Sequence, residues 1–477
     1  MLFSEDTKQD LIKFVQNNVG MKRIIPTVLI IILFYLPSQA QQNDSMMLNR
    51  IFAEIMVNGK AYDNLRSLCK QVGPRLSGSD NAEKAIQLTA SMLKIAGADT
   101  VYLQPCKVPH WVRGSQESAN MLLSDGTRQS MRLCALGNSS GTPSAGISGK
   151  VIEVSSLEEL SVLGEKGIKG KIVFFNKPMN PLYLRTFKAY GECGVMRWGG
   201  PSEAARFGAI GAVVRSLASN DDDYPHTGVT EYNDSFPKIP AIAISTNDAN
   251  RLSASLKTDP SLQINFITSC KMLADVLSYN VIGELRGSSQ PKEFITVGGH
   301  LDSWDLAEGA HDDGTGCVQS IEILRSLKAI GYRPKHTLRV VMFMNEENGG
   351  RGGEAYYNFA VVNKEKHLFA IESDAGGFSP RGFATEMSAS QYQQFLKWKP
   401  LFENYDMTQF SNDGDGSDIY HLKKIGALVA ELRPDSQRYF DVHHAVTDTF
   451  ESVSKRELHL GAFVMGALIW LVDQYGL

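Results

Sequence analysis

Cysteine is scarce, with six in 477 residues: Cys69, Cys106, Cys134, Cys193, Cys270 and Cys317. They are widely spread and form no CxxC pair, which excludes a dense disulfide framework and leaves a thiolate metal site without support. Charge of one sign is also lacking, since 48 Lys and Arg face 52 Asp and Glu for a net charge of −4. No polybasic footprint results, so nucleic acid and anionic membrane surfaces are not expected partners. The N-terminal apolar run at 24–36 is short too, below the ~20 residues of a spanning helix. It follows Lys22 and Arg23 and precedes Ser38-Gln39-Ala40, small residues suited to a cut. Residues 1–40 therefore read as an N-terminal extension and signal peptide. Cleavage after Ala40 leaves an exported chain, periplasmic or extracellular, with no stable membrane anchor.

What is present is an ordinary globular composition, 43% hydrophobic and 21% charged, able to bury a large core. Helical spacing over Tyr62–Ala96 and a strand at Val101–Val108 place residues 41–133 in the first part of a main domain. Near Cys134 the texture changes to Gly/Ser-rich segments and short strands, which predicts an inserted domain over 134–270. From 271 to 477 strand and helix alternate, as in Phe294–Gly298, Gly316–Leu327, Leu338–Met344 and Leu368–Ser373. The fold class expected is α/β, a mixed and mainly parallel sheet flanked by helices. In such sheets chemistry gathers at the carboxyl ends of strands.

Acidic and imidazole groups fall at those ends. A strand runs into His300-Leu-Asp302, where a carboxylate two residues on could orient the imidazole. Gly309-Ala-His-Asp312-Asp313-Gly precedes a helix, and a buried-strand pattern ends in Asn345-Glu346-Glu347. A third strand ends in Glu372-Ser-Asp374, and His443-His444 precedes Asp448. Taken singly, each cluster fits a structural histidine, an acidic helix cap or a solvated turn. Together, two His and three carboxylates near strand ends make the ligand set of a dinuclear zinc centre. Hydrolysis there also needs a carboxylate that is not a ligand to take a proton from water.

These motifs, with Val108-Pro-His-Trp-Val-Arg-Gly114 and Pro225-His226-Thr-Gly228, resemble the co-catalytic zinc aminopeptidase/carboxypeptidase family over nearly the whole mature chain. The resemblance implies the zinc exopeptidase fold with an inserted protease-associated domain, and two Zn2+ per chain. It implies Asp312 as the bridge between the ions, His300 and Asp374 on one, and Glu347 and His444 on the other. Glu346 would be the general base, Asp302 the partner of His300, and Asp448 a support for the segment carrying His444. The peptide bond between Asp312 and Asp313 would be cis. The loop around His226 would cover the substrate, and Ser417 and Asp418 would contact a terminal group.

The function expected is a secreted exopeptidase cleaving dipeptides or short peptides with free termini. The alternative is an aminopeptidase on longer peptides. A non-catalytic binding protein on the same fold would have lost ligands or the base, and none is missing here. The resemblance also leaves room for a homodimer.

Overall fold

Apolar runs such as Thr337–Phe343 become strands buried on both faces, as the centre of a helix-covered parallel sheet requires. The computed structural model describes residues 39–477, with side chains from Asn43 onward. Apart from Gln39 and Ala40, the expected signal peptide lies outside the described residues. The chain divides at Asn49/Arg50 into two units. Helix Gln39–Asn58 runs across that division, and the description below concerns the second unit.

Its strands are β1 (Thr100–Val112), β2 (Glu117–Leu122), β3 (Arg128–Met131), β4 (Leu133–Ala135), β5 (Ile147–Val154), β6 (Ile172–Phe175), β7 (Gly211–Arg215) and β8 (Ala241–Ile244). They continue with β9 (Gln263–Thr268), β10 (Lys271–Leu285), β11 (Gln290–His300), β12 (His336–Phe343), β13 (Lys366–Glu372), β14 (Pro380–Glu386), β15 (Gln409–Ser411) and β16 (Leu428–Pro434). The first sheet has the order β1-β10-β12-β11-β13-β16-β14-β15, and the second β3-β2-β9-β5-β6-β7-β8-β4. Strands β12, β11, β13 and β16 are parallel neighbours, while β1, β10 and β14 pair antiparallel. The fold is thus a mixed α/β architecture of two mixed sheets with helices.

All strands of the second sheet lie between β1 and β10, so it is an insertion into the first. The expected boundary at 134 falls within β4. Strands β2 and β3 already belong to the second sheet, because β2 pairs with β9 along its full length.

Helix Thr315–Ala329 is buried on nearly every side, consistent with its mixed Val, Ile, Leu and small-polar sequence. Helix Lys455–Tyr475 packs against it. This second helix is apolar enough to cross a membrane by length and composition, yet most of it is buried within the fold. Each fully buried Leu or Ile there contributes about 1.5–3 kcal/mol relative to exposure. All six cysteines are buried and unpaired. Burial pushes the thiols of Cys69, Cys106 and Cys134 up to about 12, which leaves them unreactive.

Candidate metal centre

Strand register brings the acidic segments together. His300 lies opposite Phe343 across β11 and β12, and Gly298 opposite Glu372 across β11 and β13. The residues just past these three ends, Asp302, Asn345–Glu347 and Asp374, therefore leave the sheet at one level. Asp312 enters from the turn before helix Thr315–Ala329, and the Asp312–Asp313 peptide is cis. That turn is held by carboxylates. Asp448 accepts the N–H groups of His311 (2.7 Å) and Asp312 (3.1 Å), and Asp313 accepts those of His300 (3.1 Å) and Gly316 (2.8 Å). Gly299 makes the contact with His300 feasible, since a Cβ there would stand 2.2 Å from Asp313 Oδ2, the oxygen that accepts the His300 N–H.

His444 arrives on a loop with φ +62°, a conformation that costs a residue with a side chain about 1–2 kcal/mol. The insertion holds it there. Thr227 N–H donates to the His444 carbonyl at 3.0 Å, His444 Nδ1–H donates to the Thr227 carbonyl at 3.2 Å, and His226 Nδ1–H donates to the His443 carbonyl at 2.6 Å.

The five expected ligands converge. Asp312 Oδ1 is 3.2 Å from His300 Nε2, and its Oδ2 is 3.2 Å from His444 Nε2. Asp374 Oδ1 lies 3.3 Å from His300 Nε2, and Glu347 Oε2 3.2 Å from His444 Nε2. One carboxylate thus faces two imidazoles, each completed by a second carboxylate. Glu347 is oriented by the Trp304 N–H, which donates to Oε1 at 3.1 Å. Glu346 lines the same cavity of about 340 Å³, with Tyr190, Arg197, Glu372, Ser417, Glu431, Arg433 and Tyr439 among the other walls.

The donor set fits cations. Each Nδ1 faces a carbonyl, which only accepts, the one for His300 being Asp302 O at 2.9 Å. Nδ1 is therefore the protonated nitrogen, and Nε2 is left facing two carboxylates as a second N–H or as a lone pair. Either form requires positive charge in that space. Asp312 Oδ2, moreover, is buried with no hydrogen-bond donor. Burial alone would lower both imidazoles, but the carboxylates outweigh it, taking His444 up to about 9 and His300 well above its ordinary value. Burial, aided by the charges of Asp374, Glu347 and Asp312, holds the Glu346 carboxyl well above the usual range.

Other expected residues take different places. The Asp302 carboxylate is 3.9 Å from His300 Nδ1; it instead accepts the N–H groups of Asn345 (2.7 Å) and Glu346 (3.1 Å), and its backbone carbonyl orients the imidazole. Asp448 supports the Asp312 turn rather than the His444 segment. His226 itself is buried beneath the His443–His444 loop and does not line the cavity, whereas Val229 from the same loop does. Ser417 donates to Asp374 Oδ2 at 3.0 Å. Asp418 is buried behind the wall, its N–H on Glu372. Sequence reasoning passed over His443, whose ring stacks on His444 at 3.6 Å and whose Nε2 is 3.7 Å from Asp312 Oδ2; the adjacent pair of histidines was its signal. It also passed over Arg197, for which no motif spoke.

A mixed sheet carrying such a cage of imidazoles and carboxylates at its strand ends defines a metal-dependent hydrolase. The profile of Peptidase family M28 matches residues 280–469. Carboxypeptidase Q of Homo sapiens is 37% identical over 422 residues, covering 88% of this chain and 87% of that protein, and carboxypeptidase Q of Bos taurus is 36% identical over the same shares. The crystal structure of a peptidase M28 precursor from Shewanella amazonensis SB2B superposes with a TM-score of 0.86 at 30% identity, over 91% of this chain and 97% of that one. A zinc aminopeptidase from Bacillus subtilis shares the fold, with a TM-score of 0.60 at 18% identity, over 86% and 94% of the two chains. The chain belongs to peptidase family M28 and is a metallopeptidase similar to carboxypeptidase Q.

Proposed function

We propose that the chain is an exported exopeptidase that holds two zinc ions and cleaves dipeptides or short peptides with free termini. The observation that carries this is the placement of Asp312, one oxygen toward His300 and the other toward His444. His300, Asp312 and Asp374 would hold one ion, and Asp312, Glu347 and His444 the other. Bound there, the ions would supply a lowered water pKa and polarisation of the attacked carbonyl. The remaining work falls to the chain. Glu346, in the cavity wall and not needed as a ligand, takes the proton from water and returns it to the departing amine. Asp302 fixes that carboxylate's backbone, and Trp304 and Thr227 fix Glu347 and His444.

A cavity of about 340 Å³ lies near the low end of ligand pockets, roughly 300–1,000 Å³, which suits a dipeptide. A neighbouring basin of about 360 Å³ shares Phe187, Ala375 and Arg433 with it. This continuity favours a second reading, an aminopeptidase acting on longer peptides. The inserted sheet is assigned as a protease-associated domain, and the export signal to residues 1–40, with a periplasmic or extracellular destination.

The test is Glu346→Gln in the zinc-loaded protein, assayed on free dipeptides beside longer and terminally blocked peptides. Turnover should fall by about 10²–10⁴-fold with two zinc ions still bound. Activity near wild type in that variant would remove Glu346 as the base, and cleavage of long peptides alone would select the second reading.

A further inference from the structure

His443 is 6% exposed and lines the metal-site cavity, yet the expected ligand set leaves it unused. Its backbone is fixed on both sides. The N–H donates to the Tyr439 carbonyl at 2.9 Å, and the carbonyl accepts from His226 at 2.6 Å. The ring is held among other rings. It stacks on His444 with 3.6 Å between centroids and 21° between planes, and Tyr190, Tyr439 and Phe440 surround it at 5.0 to 5.1 Å.

These neighbours leave both ring nitrogens without a hydrogen bond. Nδ1 is buried with no partner, and Nε2 lies 3.7 Å from Asp312 Oδ2, too far for a hydrogen bond. Elsewhere the protein satisfies a buried ring in full. His367 meets Thr296 at 3.3 Å through Nδ1 and Glu365 at 3.1 Å through Nε2. A buried ring that lacks such partners is unfavourable unless something enters the space in front of one nitrogen.

That space is shared. Asp312 Oδ2 also has no donor, and it stands 3.2 Å from His444 Nε2. Ligating atoms of Asp312, His443 and His444 all fall within 4.8 Å of one another. Atoms about 2.0–2.1 Å from one tetrahedral ion stand about 3.4 Å apart, and the spacings of 3.2 and 3.7 Å bracket that value. The other cage differs, since it groups His300 as its one imidazole with Asp312 and Asp374.

We propose that His443 is an additional ligand to the ion held by His444. This rests on the two-zinc reading and makes the two sites unequal. An imidazole-rich site, which suits zinc, copper and nickel, stands beside a carboxylate-rich one, which suits harder ions such as manganese. The metal-free full chain, wild type and the variants His443→Phe and His443→Ala, would be titrated with zinc against a chromophoric chelator. Histidine-selective nitrogen-15 spectra of the zinc-loaded proteins would show which rings are coordinated. Phe keeps a ring against His444 but removes its nitrogens.

The wild type should bind two ions, with metal-bound nitrogen shifts on His300, His443 and His444. His443→Phe should lose about tenfold or more in affinity for one ion only, at least what loss of a supporting partner costs. His443→Ala should regain that affinity in free imidazole. The wild-type spectrum needs no variant, so it decides the case even if neither variant folds. Two ions bound with His443 unshifted, or a Phe variant that binds both as tightly as wild type, overturns the proposal. A wild type that takes up one ion sinks the two-zinc reading, and the His443 shift then decides the ligand by itself; uptake of none overturns both.

Discussion

Glu365→Gln should destabilise the fold by about 3 kcal/mol at neutral pH while leaving the metal site intact. Glu365 forms a fork with Arg339, at 2.8 Å to Nη1 and 3.1 Å to Nη2. The Arg339 guanidinium also binds Glu284 at 2.8 Å and lies 3.9 Å over the Phe294 ring. One buried cation thereby ties β10, β11 and β12 to the segment that leads into β13. Burial alone would raise the Glu365 carboxyl, but hydrogen bonds from His367 and Arg339 outweigh it and bring it down to about 2. The gap from 4.5, the ordinary value, corresponds to about 3 kcal/mol favouring the ionised, folded state.

Because the folded value is the lower one, this stability is fully present above pH 4.5 and is lost as pH falls toward 2. Guanidinium unfolding of the zinc-loaded protein at pH 7 and at stepped pH down to 3 would read it. Wild-type stability should fall on acidification more steeply than that of the variant, and the two curves should converge. A variant within 1 kcal/mol of wild type at pH 7, or one with the wild-type acid limb, would refute the argument. Zinc affinity is the control, since the pair lies away from the ligand-bearing strand ends.

Asp448→Ala removes the acceptor of two buried N–H groups, each costing about 1–3 kcal/mol when left unsatisfied. Zinc titration of the variant should show weakened binding, because the turn that carries Asp312 loses its anchor. Gly299→Ala would drive a methyl group to 2.2 Å from Asp313 Oδ2, and overpacking of this kind typically costs about 1–3 kcal/mol. Its melting temperature should drop, and so should its zinc content after dialysis. Gly228→Ala would place a methyl group 2.4 Å from Arg197 Cζ at a φ of +133°, and its melting temperature should drop for the same reason.

Four of the five expected ligands were legible because they sit within four residues of a buried strand end or a helix start, where periodicity and chemistry coincide, while His444 lies on a loop. His300 ends β11, Glu347 follows β12, Asp374 follows β13 and Asp312 precedes a helix. What the pattern did not carry was direction. Asp302 lies two residues from His300, yet its carboxylate turns to the neighbouring strand's exit and its carbonyl orients the ring. Asp448 is close in sequence to His444 but bonds backbone far from it in the chain. Sequence spacing specifies which groups are near a strand end; side-chain aim depends on partners brought in by tertiary packing. The start of the insertion was misplaced for the same reason. Strand β2 follows β1 almost directly, and only its long-range pairing with β9 assigns it to the second sheet.

The insertion is part of the site rather than an appendage to it. His444 must reach the cage with a left-handed backbone, and nothing within 439–448 accepts or donates on its Nδ1 side. Thr227 supplies both the donor to its carbonyl and the acceptor for its ring, while His226 fastens the preceding carbonyl. The next residue, Gly228, clears the space for Arg197, whose helix belongs to the same insertion. Three consecutive residues of one loop therefore set the His443–His444 loop and the guanidinium beside it. A change in that loop would reach the placement of the His444 ring through Thr227 and His226.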